Sequence, residues 1–335
     1  MKIIIHAGRA KTGTTAIQKT MKTNRERLLD QGVLYPQTFV REVDHSGMTV
    51  PLRNRVQRSM VSKLGSDYQK ALEISYTEWA KVGDQVRSTE AHTVLISSEF
   101  LFGARHIRKI PDLIQEYFGQ PAELSFLIYL RRPSEHYTSF LQQKLKAGHS
   151  LPNTGSEAVL RRIRKFLPMG DTQVRLFSRD ALYGNDIVAD FCFATGIDFG
   201  RLEGLSSDSN TSISAEAAIL LQEYRRQHHL KNENVFTKDT QEFIKTLRLV
   251  ETKNPDVFTK IRLRPEVAQM LDRETQDSKK IFKRFGIQLS RDHGVVPVQE
   301  QELAGFEDVE DVVVFDPDAL QQMRQALAAS LRDEG

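Results

Sequence analysis

A chain of 335 residues, 39% hydrophobic and 27% charged, has ordinary globular composition and length for one large core or two smaller ones. No apolar run reaches the length of a transmembrane span, and a single cysteine, Cys192, excludes an internal disulfide and any multi-cysteine metal site. The net charge of +3 is uneven: residues 292–335 carry two basic against eleven acidic residues, a local −9, so residues 1–291 carry +12. A basic body suits an anionic ligand, whereas no basic stripe interleaved with aromatics suggests nucleic acid. The start of the chain, Lys2 followed directly by Ile3, Ile4 and Ile5, does not read as a signal peptide, so the cytoplasm is the expected compartment.

In chain order, residues 2–6 read as a buried strand, followed by a Gly/Thr loop and a helix from about Thr14 to Gln31 that stops at Gly32. The stretch 37–65 has poor periodicity and is either a wall of a ligand cleft or surface loop. Thr93–Ser98, Leu124–Arg131 and Thr172–Phe177 read as further strands, with Pro133 opening a helix to about Ala147. Asp186 is placed to cap the helical stretch that holds Cys192, read as a small core residue. From Ser212 or Ser214 onward the pattern is helical, over 214–229, 236–251 and 265–285. A polar, acidic connection at 287–311 follows, and then Asp316-Pro317 caps a final helix. Strands alternating with helices predict an α/β fold of three layers, a central mostly parallel sheet between helices, with a helical C-terminal region; the Gly/Thr loop after the first strand makes the expected type that of a P-loop fold. The expected organisation is one domain over 1–335, with a nucleotide-binding core at 1–200 and a helical extension at 211–335.

The sequence His6–Thr15 (HAGRAKTGTT) joins the first strand to the first helix. Gly8, four residues, Gly13 and then Thr14-Thr15 allow the backbone to wrap a phosphate at a helix N-terminus. An ATP-binding P-loop carries lysine where Thr14 stands. Here the lysine, Lys11, comes two residues before Gly13, so the loop keeps its cradle and has moved its cation.

Lys11-Thr12-Gly13-Thr14-Thr15 resembles the 5′-phosphosulfate loop of the sulfotransferases that use 3′-phosphoadenosine-5′-phosphosulfate (PAPS), with Ala10 where proline is usual. The run His-x-Gly-x-x-Lys-Thr-Gly-Thr-Thr-x-x-x-Gln, ending at Gln18, is similar to the bacterial branch of that superfamily. Arg131, with Ser139 eight residues later, reproduces the spacing of that family's 3′-phosphate motif, with Arg132 in place of a common asparagine. An arginine fork at a strand's carboxyl end plus a helix hydroxyl also makes physical sense as a phosphate clamp. Softer likenesses run through Arg179-Asp180, Asn185-Asp186, and Asn210 with Ser212 and Ser214.

The resemblance implies a PAPS-dependent transferase with Lys11, Thr12, Gly13, Thr14, Thr15, Arg131 and Ser139 as cofactor-binding residues. It implies 3′,5′-phosphoadenosine phosphate as the product nucleotide, a saccharide, glycolipid or small-molecule acceptor, and no metal. Transfer needs a base for the acceptor proton, and two residues are candidates. Glu99 follows the strand at 93–98, and His45 lies in the irregular segment. His6 is set aside as a base and expected to bond the loop. The competing readings are a P-loop small-molecule kinase and a degenerate nucleotide-binding protein.

Overall fold

The computed structural model describes residues 1–119, 122–153, 158–204 and 212–333, with backbone alone for 330–333. Strand β1 (Lys2–Ala7) leads into helices α1 (Thr14–Thr23) and α2 (Arg25–Leu29), then strand β2 (Val33–Leu34). Helices α3 (Val61–Leu64) and α4 (Tyr68–Arg87) precede β3 (Thr93–Ser98), and α5 (Ile110–Phe118) precedes β4 (Glu123–Leu130). Next come α6 (Pro133–Leu145), α7 (Val159–Ile163), β5 (Asp171–Leu176) and α8 (Ile187–Thr195). The remainder is α9 (Ala215–His229), α10 (Lys238–Lys253), β6 (Arg262–Leu263), α11 (Pro265–Leu271), α12 (Gln276–Phe285), α13 (Glu300–Gly305), α14 (Val309–Val312), β7 (Val313–Val314) and α15 (Pro317–Asp333).

The chain divides into two compact units. The first comprises Met1–Arg131, Ala158–Asp208 and Gln276–Gln288; the second comprises Arg132–Glu157, Ser209–Thr275 and Leu289–Gly335. The chain therefore passes between units several times, where the sequence suggests one boundary near 200–211. The physical reason is local. Tyr137, Leu141 and Leu145 of α6 belong to the apolar cluster of the later helices, and α12 packs against α7 and β5.

The first unit is built on a five-stranded parallel sheet in the order β2-β3-β1-β4-β5. Buried parallel strands are continuous apolar runs, which is why β1, β3 and β4 are so visible in the sequence. Ile4, Leu95, Leu127 and Tyr129 face α1 and α8 through Ile17, Met21, Val188 and Phe191. Ile5 and Ile96 line a small apolar cavity with Trp79 of α4 and Ile110 of α5. The sheet is thus covered on both faces, a three-layer α/β arrangement. The connection from β1 runs toward the β2 edge, while those from β3 and β4 run the other way. Such a reversal opens a crevice at the carboxyl ends of the strands.

Three features differ from the sequence expectation. The first helix breaks at Asn24, whose buried amide bonds Thr20 O (2.9 Å) and both backbone groups of Glu203 (2.8 Å each), a partner 179 residues away. The 20-residue α4 goes unanticipated because its buried face includes Ser75 and Glu78, which interrupt the apolar stripe. Those same residues hold the irregular segment. Ser75 Oγ donates to Gly47 O (2.7 Å), Trp79 Nε1 donates to Met48 O (2.8 Å), and Val40 N donates to Glu78 Oε1 (2.9 Å). Residues 44–52 are consequently buried rather than a surface loop. Third, 265–285 is two helices, α11 and α12, one in each unit.

The second unit buries Leu141, Ile219, Leu247, Val267, Val312 and Met323 in one cluster, beside the antiparallel pair β6–β7. Ser214 caps α9 by accepting from Ala217 N at 3.1 Å. Part of the acidic 292–318 segment serves local structure: Asp308 and Asp311 form a capping box on α14, and Asp316 accepts from Asp318 N at the start of α15. No helix among the described residues is long and apolar enough to cross a membrane.

Candidate functional site

The loop from β1 to α1 has two residues in the left-handed region, Lys11 (φ 69°) and Gly13 (φ 73°), on either side of Thr12, whose hydroxyl donates to Arg9 O at 2.6 Å. At Gly13 a Cβ would meet Ile187 Cγ1 at 2.8 Å and Phe177 Cε2 at 2.9 Å, so both conformation and space call for glycine. Lys11 holds the same conformation with a full side chain, which costs on the order of 1 kcal/mol or more and is typical of residues held for function. Backbone N–H groups around such a turn converge on one side, and a helix N-terminus adds positive dipole character.

Helix α1 has no side-chain cap and no acidic residue in its first turn. Thr14, its first residue, is buried, and its Oγ1 has no hydrogen-bond partner in the protein. A buried polar atom without a partner is uncommon, and an oxyanion held by the loop would satisfy this one.

Cations surround the same loop. Arg131 Nη1 donates to Lys11 O (3.2 Å), Arg9 Nη1 donates to Arg131 O (3.4 Å), and the Arg131 guanidinium lies over the Phe177 ring at 5.3 Å. Arg9 is buried and carried no signal in the sequence beyond lying inside the loop. Thr12 is buried, Lys11 and Gly13 are half-buried, and Thr15 is exposed.

The β1–β3 register runs level from Lys2 opposite Thr93 to Ala7 opposite Ser98, so Gly8 and Glu99 leave the sheet side by side. Gly8 N donates to Ser98 O (3.2 Å), and a Cβ on Gly8 would stand 2.7 Å from Thr14 Oγ1 and 3.4 Å from the Glu99 Cα. Only glycine lets loop, helix and β3 approach this closely. The Glu99 carboxyl is pushed above the usual carboxylate range, chiefly by burial and also by Asp44, while Arg41 and Lys11 pull it down. Lys11 and Glu99 therefore share one electrostatic neighbourhood at the carboxyl edge of the sheet.

His45 is held differently. Its Nδ1 accepts from Ser97 N (3.0 Å) and its Nε2 donates to Pro36 O (3.2 Å). Both ring nitrogens are engaged by backbone, the ring is fully buried, and burial pulls it down to about 4. A base needs a lone pair that the acceptor can reach, and this ring has none to offer. His45 is thus corrected from candidate base to structural tie between segment 36–45 and β3.

His6 is bonded to Ser97 Oγ (2.8 Å) rather than to the loop, and burial pulls it down to about 3. Gln18 donates to the same hydroxyl (3.1 Å), which gives the glutamine closing the loop motif a role in joining α1 to β3.

Ser139 lies half-buried on α6, in the second unit, while Arg131 closes the first. Asn210 lies outside the described residues. Asp186 caps α8, accepting from Val188 N and Ala189 N at 2.8 and 2.9 Å. Cys192 is a core residue whose thiol burial pushes up to about 12. Among the described residues no cluster of His, Cys, Asp and Glu is arranged to hold a metal.

Fold and site together define an α/β protein with a parallel sheet, a Gly/Thr loop opening a helix, and a carboxylate beside that loop. No family model matches the chain and no curated protein matches it. Among solved structures, a chain of the PezAT chromosomal toxin–antitoxin system of Streptococcus pneumoniae is similar at a TM-score of 0.30 and 14% identity, over 69% of this chain and 88% of that one. A likeness at that level carries no argument.

Proposed function

We propose that the protein is a PAPS-dependent sulfotransferase acting on an acceptor hydroxyl or amine, with saccharides or glycolipids favoured. The observation that carries the reading is the adjacency of the Lys11–Thr15 loop and Glu99 across Gly8. The loop fits a phosphosulfate: the open N-terminus of α1, the unpartnered Thr14 hydroxyl and the nearby Lys11, Arg9 and Arg131 all favour an anion. PAPS, when bound, supplies the sulfuryl group.

Glu99 accepts the acceptor's proton as the acceptor oxygen or nitrogen forms its bond to sulfur. The bond from sulfur to the bridging oxygen breaks, and its electron pair leaves with the phosphate. Lys11 and the loop N–H groups stabilise the charge that develops on that oxygen. Like phosphoryl transfer, the chemistry asks the protein mainly for positioning and electrostatics. A raised carboxyl suits a base, because proton transfer is most effective when the base's pKa approaches the working pH.

The resemblance further assigns the 3′-phosphate to Arg131 and Ser139. The test is thermal stabilisation and calorimetry with 3′,5′-phosphoadenosine phosphate, AMP and ATP·Mg. Binding of the bisphosphate at least ~100-fold tighter than AMP is expected from two charge-assisted contacts. Equal affinity for bisphosphate and AMP, or preference for ATP·Mg, would return the protein to the kinase reading.

A further inference from the structure

The loop that begins one residue after Glu99 is held by cations whose partners are neutral. Arg53 Nη1 donates to Phe100 O at 2.6 Å, and Lys165 Nζ donates to Ala104 O and Arg105 O at 3.3 and 3.4 Å. His106 N donates to Leu52 O (2.9 Å), fastening the loop to the segment that carries Arg53 and Arg55. At exposed Gly103, the position a Cβ would occupy is 3.9 Å from both Arg53 Nη1 and Arg162 Nη1, so two guanidiniums reach the same open point of backbone.

The charges bearing most on Lys165 are Arg161, Arg162, Arg105 and Arg108, and those on Arg53 are Arg55 and Arg162, all positive. The carbonyl partners of Arg53 and Lys165 orient these two cations without neutralising them. The surface therefore keeps a concentrated positive field, and every residue of it belongs to the first unit.

Position sets what this field is for. Gly103 is four residues from Glu99, so their Cα atoms are at most about 14 Å apart even for extended chain. The loop is in fact turned, with Leu101 N on Ser98 O (3.4 Å) and Ala104 N on Leu101 O (3.0 Å). The aromatic residues here, Phe100 and Phe102, carry the guanidiniums of Arg53 and Arg162 over their rings at 5.8 and 5.6 Å. Faces covered in this way are not platforms for stacked bases, which single-stranded nucleic acid would need.

Resting on the sulfotransferase reading, we propose that the acceptor is itself an anion: an acidic saccharide whose carboxylate or sulfate groups lie on Arg53, Arg55, Arg105, Arg108 and Lys165 while a hydroxyl faces Glu99. The patch recognises charge already on the acceptor and sets which hydroxyl is presented.

The experiment uses the full chain and a fluorescently labelled sulfated dextran oligosaccharide, with the neutral oligosaccharide of equal length and a single-stranded oligonucleotide of equal charge beside it. The sulfated probe is expected to bind, weakening as salt is raised, and the neutral one not to bind. The double variant Arg105→Glu with Arg108→Glu, both exposed, should weaken it by at least about tenfold. Bisphosphate affinity in that variant should be unchanged, which reports an intact fold.

Equal binding of sulfated and neutral probes, or an unaffected double variant, overturns the proposal. An oligonucleotide binding as tightly as the sulfated probe, with the same sensitivity to the variant, overturns it in favour of nucleic acid. If the bisphosphate binds the unmutated chain and the sulfated probe does not, the acceptor proposal falls and the sulfotransferase reading stands. If the sulfated probe binds and the bisphosphate does not, the reading falls and takes the assignment of an acceptor with it.

Discussion

Two helix N-termini follow the two phosphate-type motifs, and the protein treats them in opposite ways. At α1, in the first unit, the cap is a left-handed Gly13, the first turn has no acid, and the Thr14 hydroxyl is buried without a partner. At α6, in the second unit, the anion position is filled from within. Asp272, fully buried, accepts from Ser134 N (2.8 Å), Ser134 Oγ (2.6 Å) and His293 Nε2 (3.0 Å). A helix terminus with its own carboxylate has spent its dipole on folding; one without is available to a ligand. The lesson is that a shared motif shape does not mean a shared job: the end of α6 is closed by the protein's own carboxylate and the end of α1 is not.

The largest expected effects attack the open terminus. Glu99→Gln should lower acceptor-dependent turnover by ~10²–10⁴-fold while leaving bisphosphate affinity in place, since a general base does not hold the nucleotide. Steady-state rates and calorimetry on one preparation check this, and a variant with undiminished turnover removes Glu99 from the chemistry. Lys11→Ala should cost ~10²–10³-fold in rate, the scale of one lost oxyanion donor. It should leave the thermal midpoint nearly unchanged, because the residue lies in a loop rather than the core and alanine keeps the same positive φ.

Attack on the closed terminus should do the reverse. Asp272→Ala strands the Ser134 donors and His293, and should cost about 3 kcal/mol of stability, read as an earlier chemical denaturation midpoint. If it unfolds like the unmutated chain but loses nucleotide affinity, the two termini are not the opposites described above.

Arg131→Ala combined with Ser139→Ala sharpens the comparison from the ligand's side. The ~100-fold preference for bisphosphate over AMP should shrink toward parity, mainly by weaker bisphosphate binding. The smallest effect is on pH. The base must be deprotonated, so activity rises with pH through the raised Glu99 carboxyl, and Arg41 holds that carboxyl down. Arg41→Ala should therefore move the acid limb of kcat/KM to higher pH. A limb that moves lower would show that another group titrates there.

Much of this was open to reading in the sequence. The apolar runs of β1, β3 and β4 mark a buried parallel sheet, and the glycine and threonine spacing of residues 8–15 marks the loop at its edge, because both signals are local and periodic. Glu99 was legible for the same reason, as the residue just beyond a strand. Two-residue β2 was too short to carry a pattern. Helix α4 was hidden because Ser75 and Glu78 sit on its buried face, bonded to a segment some thirty to forty residues earlier.

What the sequence determined by itself was four of the sheet's five strands, the position of the Gly/Thr loop between the first strand and the first helix, and the residues Glu99 and His45 as candidate bases. Only the tertiary structure showed how His45 is held, since the backbone partners that lock it, Pro36 and Ser97, come from two different segments. It also decided that Asn24 breaks the first helix through Glu203, that Asp272 closes α6 from 138 residues away, and that Arg53 and Lys165 converge on the loop after Glu99. Each is a contact between residues far apart in the chain, and no local pattern encodes which distant partner a buried polar group will find.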